Sequence, residues 1–197
     1  MRGKLNLFQV TMLRWRELHP YSAVHAVHVV SPLDALRLEG AIRRELEARG
    51  LTHLTLDAVR GRFDYAGGEA RTALAVLPGG ADAREVLCAE IERQLNSPFP
   101  ADGAIDPFRF FAVDAGASFE FALSYDHFIA GGDSIALLLQ AIVARYEAKG
   151  GVAPLAAVPG LYPGTFRRLL WRHAGAVLRG LSSLPRLALN CRHSHRP

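Results

Sequence analysis

Cysteine is scarce and long apolar runs are absent in this 197-residue chain, and each of these features excludes a class of protein. Its two cysteines, Cys88 and Cys191, lie far apart without metal-ligand spacing, so no disulfide framework is expected. No apolar run reaches the roughly 18 residues of a membrane-spanning helix. The N-terminus lacks the apolar core and small-residue cleavage site of a signal peptide. A cytoplasmic protein is the simplest expectation.

Acidic residues are absent from the C-terminal segment, residues 161–197, which contains seven arginines. The preceding 160 residues therefore carry a net charge of about −3 and this segment about +7, with histidine counted as neutral. The high isoelectric point thus belongs to the C-terminal segment. Half of all residues are apolar, which is enough to bury a core in one globular domain or slightly more.

Phosphate-binding loops are missing as well. The pairs Gly67-Gly68 and Gly79-Gly80 lack the Lys-Ser/Thr or the spaced third glycine of such a loop, so they are interpreted as turns. No internal repeat or low-complexity tract is visible. His25 and His28 fall on opposite faces of one strand, which disfavours a shared metal ion and favours ordinary strand histidines.

Alternating and helical apolar patterns predict an α/β protein. Helices are expected over Asp34–Arg49, ending at Gly50, over Asp82–Gln94, and from Ile135 onward. In the first of these helices, Leu36 and Leu46 are assigned to the apolar stripe and Glu45 to the solvated side. Strands are expected over Asn6–Trp15, Ser22–Val30, Thr52–Val59, Arg62–Tyr65, Thr72–Leu77, Phe108–Asp114 and Ser118–His127.

The chain is organised around residues 124–134, which read Ser-Tyr-Asp-His-Phe-Ile-Ala-Gly-Gly-Asp-Ser. His127 ends the apolar face of a strand, because side chains alternate with period two. A glycine pair follows, then Asp133 and Ser134 as candidate N-caps of a long helix. This pattern predicts a strand, a tight turn and a helix start, with one imidazole at the junction.

This segment resembles the His-His-x-x-x-Asp-Gly signature of the CoA-dependent acyltransferase superfamily. The superfamily includes chloramphenicol acetyltransferase, peptide-synthetase condensation domains, wax ester synthases and plant hydroxycinnamoyl transferases. Asp126 takes the place of the first His, His127 of the second, Gly131 of the Asp and Gly132 of the Gly. Ser134 matches a serine often found two places later. The phrase Asp-Pro-Phe-Arg-Phe-Phe, just before the motif strand, also has close parallels in the family.

The resemblance implies a chloramphenicol acetyltransferase-like lobe, a two-layer sandwich of a mixed β-sheet with helices packed on one face. It implies His127 as the general base for attack on an acyl-CoA or carrier-protein phosphopantetheine thioester, with no permanently bound cofactor. Backbone amides near Gly132, Asp133 and Ser134 would stabilise the oxyanion. The family's Asp is structural, so Gly131 departs from the pattern; the Asp133 carboxylate could replace it. The competing interpretation of His127 is an ordinary core histidine.

The domain expectation is a lobe at residues 1–150, followed at 151–197 by a Pro-rich linker and a basic helix over Phe166–Leu181. In two-lobed family members a second lobe follows the motif, so three interpretations are open: a truncated gene product, a piece completed by another chain or by self-association, or a lobe that binds without turnover. The basic helix could be a packing helix, contact anionic lipid, or bind an acidic partner or the phosphates of coenzyme A or a carrier protein. Nucleic acid is not expected, because no recognition fold accompanies the arginines.

Overall fold

A computed structural model of the protein describes residues 2–16, 20–100, 102–148, 171, 174 and 175. The chain forms two compact units, Met1–Tyr162 and Pro163–Pro197. Residues 171, 174 and 175 of the second unit are helical; the remainder of the predicted linker and basic helix lies outside the described residues. None of the helices described is long and apolar enough to cross a bilayer.

A mixed four-stranded sheet forms the centre of the first unit, in the order β2-β8-β7-β5. Its strands are β2 (Ser22–Val29), β5 (Leu74–Pro78), β7 (Phe108–Asp114) and β8 (Phe119–Asp126). β7 and β8 form an antiparallel hairpin, β2 pairs antiparallel with β8, and β5 runs parallel to β7. β7 and β8, the two inner strands, are almost entirely buried, as expected for strands covered on both faces.

A second, antiparallel sheet has the order β1-β4-β3-β6. Its strands are β1 (Arg2–Lys4), β3 (Leu54–Asp57), β4 (Arg62–Tyr65) and β6 (Gly103–Ile105). Leu54, Leu56 and Ile105 from this sheet join the main core. β1 and β6 were not predicted, since three-residue strands carry too little alternation to be recognised.

Four helices complete the first unit: α1 (Leu7–Trp15), α2 (Ala35–Ala48), α3 (Ala83–Leu95) and α4 (Gly132–Glu147). A 3₁₀ turn, Gly80–Asp82, leads into α3. Helices α2 and α4 pack on one face of the central sheet, where their side chains contribute to the main core. Helix α3 packs on the other face, where a smaller cluster surrounds Phe111, Val113 and Ala122.

The α/β class and the mixed sheet agree with the sequence-based expectation. The structure differs from the expected single sheet with helices packed on one face in two respects. There are two separate four-stranded sheets, and the central one carries helices on both faces because α3 lies opposite α2 and α4.

One strand prediction is wrong, since residues 7–15 form helix α1. Asn6 caps this helix: its side chain accepts a hydrogen bond from the Gln9 amide at 2.9 Å, and the Gln9 side chain accepts one from the Asn6 amide at 3.1 Å. This reciprocal pair is a capping box, which satisfies two backbone donors at the helix start.

Two side chains of α2 lie opposite to their predicted positions. Leu36, assigned to the apolar stripe, is 85% exposed, whereas Glu45, assigned to solvent, is only 2% exposed. Glu45 forms ion pairs with Arg49, the C-cap residue of α2, and with Arg145 on α4. Two cations thus compensate the burial of this carboxylate, which the helical pattern alone could not reveal.

Candidate active site

The His127 side chain lies directly after β8, at the turn that leads into α4. Its amide donates to the Tyr21 carbonyl at 3.0 Å, and its ring Nδ1 lies 3.0 Å from the Ala130 carbonyl oxygen. Because a carbonyl only accepts hydrogen bonds, this contact places the proton of the neutral ring on Nδ1. Nε2 then carries the lone pair, which is the arrangement that a general base requires.

Two tyrosines fix the plane of the His127 ring. Tyr21 stacks on it with a centroid distance of 5.5 Å and an angle of 17°. Tyr125 meets it edge-on, at 6.0 Å and 82°. His127 is half-buried, so it does not lie in the closed interior expected of a core histidine. The imidazole is therefore oriented by neighbours on two sides.

Helix α4 begins with the glycine pair of the motif, Gly131 as N-cap and Gly132 as first helical residue. The prediction of Asp133 or Ser134 as N-cap is therefore wrong: Asp133 is exposed on the first turn, and Ser134 is buried. The Ser134 amide already donates to the Gly131 carbonyl at 3.1 Å. This leaves the amides of Gly132 and Asp133 at the open end of the helix, where backbone donors have no partner within the helix.

Asp126 occupies the first-His position of the motif and has a structural environment. Its carboxylate is buried and lies 2.6 Å from Arg16 Nη1, and it accepts a hydrogen bond from the Phe128 amide at 3.2 Å. Burial raises the pKa of the Asp126 carboxyl, while the Arg16 guanidinium and the Phe128 amide oppose that rise. The carboxylate thus ties the end of β8 to the C-terminal end of α1.

Gly131 stands where the family has Asp, and the backbone does not demand glycine there. Its φ of −77° and ψ of 157° are ordinary extended values. A Cβ added at this position would meet no atom within 4 Å. Asp133, proposed from the sequence as a substitute for the missing carboxylate, is exposed, so it does not supply a buried acid in its place.

His25 also lies near His127, and the sequence interpretation gave it no role in the candidate site. Through the β2–β8 pairing it lies opposite Leu123, and its ring stacks on Tyr125. The sequence showed only that His25 and His28 face opposite sides of a strand. Which side faces His127 depends on pairing between strands about 100 residues apart, and no local pattern encodes that. Among the described residues, no group of three or more His, Cys, Asp or Glu side chains could hold a metal ion.

No protein-family model and no curated protein matches the sequence. Solved structures do match the fold. The starter condensation domain of the rhizomide synthetase RzmA superposes with a TM-score of 0.68 at 16% identity, over 89% of this chain and 44% of that domain. The first condensation domain of the calcium-dependent antibiotic synthetase, in complex with a substrate analogue, gives 0.67 at 20% identity, over 80% of this chain and 40% of that domain.

A mutant of the rhizomide synthetase domain in complex with C8-CoA and Leu-SNAC gives a TM-score of 0.67 at 18% identity, over 81% of this chain and 39% of that domain. These similarities confirm the condensation-domain fold, which is chloramphenicol acetyltransferase-like. The chain spans about two fifths of the length of the condensation domains it matches.

Proposed function

We propose that this chain is an acyltransferase-type lobe that transfers an acyl group from a CoA or carrier-protein thioester to a hydroxyl or amine acceptor. One observation carries the proposal: His127 lies at the end of β8, with Nδ1 held by the Ala130 carbonyl, where α4 begins. The similarity of the fold to condensation domains supports it.

In the proposed reaction, Nε2 of His127 takes the proton of the acceptor hydroxyl or amine as that group attacks the thioester carbonyl carbon. The carbonyl π-electrons move to oxygen and form a tetrahedral oxyanion. When the carbonyl re-forms, the C–S bond breaks and the thiolate takes the proton from the His127 imidazolium. The base is thereby regenerated, and this kind of catalysis contributes about 10²- to 10⁴-fold.

The oxyanion would be stabilised by the amides of Gly132 and Asp133 at the start of α4, with the Ser134 hydroxyl as a further donor. Backbone N–H groups at a helix start carry partial positive charge, so they favour a developing negative charge. Gly132 brings no side chain into this space. Asp126 and Gly131 have no chemical role in the proposal: the first is paired with Arg16, and the second is the helix N-cap.

The alternative is a catalytically incomplete lobe that binds an acyl carrier or a partner protein. One observation favours it: Gly131 stands where the motif that the sequence resembles has Asp. Turnover could then require a second lobe, supplied by another chain or by self-association.

The test is transfer from octanoyl-CoA to a panel of simple amines and alcohols, comparing the full-length wild type with His127→Ala. We expect the variant to be about 10²- to 10⁴-fold slower. His28→Ala is the matched control, because His28 is exposed and paired with Glu120 at 2.8 Å on the other face of β2. Equal rates for wild type and His127→Ala would refute catalysis by His127. Binding of octanoyl-CoA or an acyl carrier without turnover would favour the alternative.

A further inference from the structure

A second imidazole lies in the candidate active site, on a different strand. β2 pairs with β8 so that His25 is opposite Leu123, and paired residues project to the same face of a sheet. Tyr125, two residues further along β8, is on that face as well. The His25 ring stacks on Tyr125 at 5.7 Å and 30°, and Tyr125 in turn contacts the His127 ring. The two histidines therefore flank one tyrosine.

The His25 ring lies beside Gly132 at the start of α4. A Cβ added to Gly132 would lie 3.4 Å from His25 Nε2 and 3.5 Å from Cε1. The Nε2 edge of the ring is thus turned toward the first residue of α4. This is the residue whose amide is the proposed oxyanion donor, so His25 lies beside the place where the thioester carbonyl would be held.

The other ring nitrogen of His25 decides which tautomer is favoured. Nδ1 is buried and has no hydrogen-bond partner in the part of the chain that the structure describes. Buried N–H donors without a partner are rarer in proteins than buried acceptors without one. The tautomer with an unprotonated Nδ1 therefore has the lower free energy. Its proton is on Nε2, the nitrogen that faces Gly132.

The surroundings of His25 also oppose a positive charge on the ring. Burial lowers the pKa of His25, and the neighbouring His127 lowers it further. A neutral His25 is accordingly favoured near pH 7. Neutral imidazoles that act as hydrogen-bond donors to a reacting carbonyl are a known solution in enzymes, because they stabilise negative charge without giving up a proton.

We propose, resting on the function proposed above, that His25 contacts the substrate and donates a hydrogen bond from Nε2 to the thioester carbonyl oxygen while His127 takes the acceptor's proton. The donated proton stays on His25 throughout, so the balance of the transfer step is unchanged. Because the carbonyl oxygen becomes negative only as the acceptor attacks, this hydrogen bond strengthens in the transition state. Its loss should lower kcat by about 10²- to 10³-fold and leave KM nearly unchanged.

The test uses three variants of the full chain with octanoyl-CoA and an amine acceptor that the wild type acylates. His25→Phe keeps an aromatic ring on Tyr125 and removes the donor, so kcat should fall about 10²- to 10³-fold. His25→Gln keeps a neutral N–H donor and should recover part of that loss. His28→Phe, on the opposite face of the same strand, is the control and should resemble the wild type. Rates for His25→Phe equal to the wild type would overturn the inference.

A measurement on the wild type keeps the inference testable if the His25 variants do not fold. Imidazole ¹⁵N NMR should show His25 in the Nε2–H tautomer near pH 7, and saturating octanoyl-CoA should shift its Nε2 signal. An Nδ1–H tautomer, or a signal that octanoyl-CoA does not move, would overturn the inference.

The two proposals fail in different ways. Loss of activity in His127→Ala together with unchanged kcat in His25→Phe would remove the role of His25 and leave the proposed function standing. Equal activity of the wild type and His127→Ala would remove the proposed function, and the role of His25 with it.

Discussion

The buried carboxylate of Asp126 forms an ion pair with Arg16. Both side chains are nearly inaccessible, with 5% and 8% of their surface exposed. Arg16 also donates to the Pro100 carbonyl at 2.6 Å and lies over the Phe128 ring. Removing one member of a buried ion pair strands the other charge, which is among the costliest single changes in a folded protein.

We therefore expect Arg16→Met to lower the free energy of unfolding by about 3–5 kcal/mol, measured by urea denaturation of the full chain. Replacing both residues, as Arg16→Met with Asp126→Asn, should recover part of this loss because no buried charge remains. The exposed pair His28–Glu120 provides the control, and Glu120→Gln should cost less than about 1 kcal/mol. An equally large loss in the double variant would show that the other contacts of Arg16 are responsible.

At the level of single residues, the sequence predicted where His127 lies but not what surrounds it. The alternation of Phe119, Phe121, Leu123 and Tyr125 was sufficient to place the imidazole at the end of a buried strand face. Arg16, which pairs with the adjacent Asp126, is the C-cap of α1, and His25, which stacks on Tyr125, comes from β2. Their positions follow from tertiary packing, which acts between residues about 100 positions apart and leaves no trace in the local pattern.

At the level of elements, α1 shows how two periods can compete within a short segment. Residues 6–15 alternate loosely, a pattern that predicts a strand, yet only Gln9 and Met12, three residues apart, are buried in the helix. That spacing belongs to a helical face. The sequence signal that indicates a helix start here is the pair Asn6 and Gln9, which forms the capping box. The strands β7 and β8 and the helix α4 were predicted close to their observed bounds, because their apolar patterns are long and unambiguous.

Asn6→Ala should therefore destabilise the protein by about 1 kcal/mol, since it removes the side-chain acceptor for the Gln9 amide. The effect can be measured as a shift in the urea midpoint. Leu7→Ala is the control, because Leu7 is the first residue of the same helix and 82% exposed, and it should change stability by less than about 0.5 kcal/mol. If the two substitutions had equal effects, the capping box would not be a source of stability for α1.

For the whole molecule, the partition of strands into two sheets could not be predicted from sequence. Pairing between β2 and β8 joins Ser22 to Asp126, and pairing between β3 and β6 joins Leu54 to Ile105. The same long-range pairings place α3 on one face of the central sheet and leave α2 and α4 on the other. The candidate site, at the β8–α4 junction, thus belongs to the side with the larger core.

The two faces of the central sheet should differ in local stability. Helix α4 buries seven residues, and five of them belong to the main core: Ile135, Leu138, Leu139, Ile142 and Tyr146. Helix α3 buries only Glu90 and Gln94, and its apolar side chains are partly exposed against the small cluster on the other face. Segments with fewer buried apolar contacts open at lower free-energy cost, and their amides exchange with solvent faster.

Native-state hydrogen exchange of the full chain should consequently show the amides in the interior of α3 exchanging at least about tenfold faster than those in the interior of α4, which corresponds to about 1.4 kcal/mol. β7 and β8 are the internal reference, because both strands contribute side chains to both clusters and should exchange as slowly as α4. Equal protection of the α3 and α4 amides against exchange would mean that the small cluster stabilises α3 as much as the main core stabilises α4. The β8–α4 junction would then be no more stable than the opposite face of the sheet. Its position on the larger core would not explain how the side chains of His127 and His25 keep their relative positions.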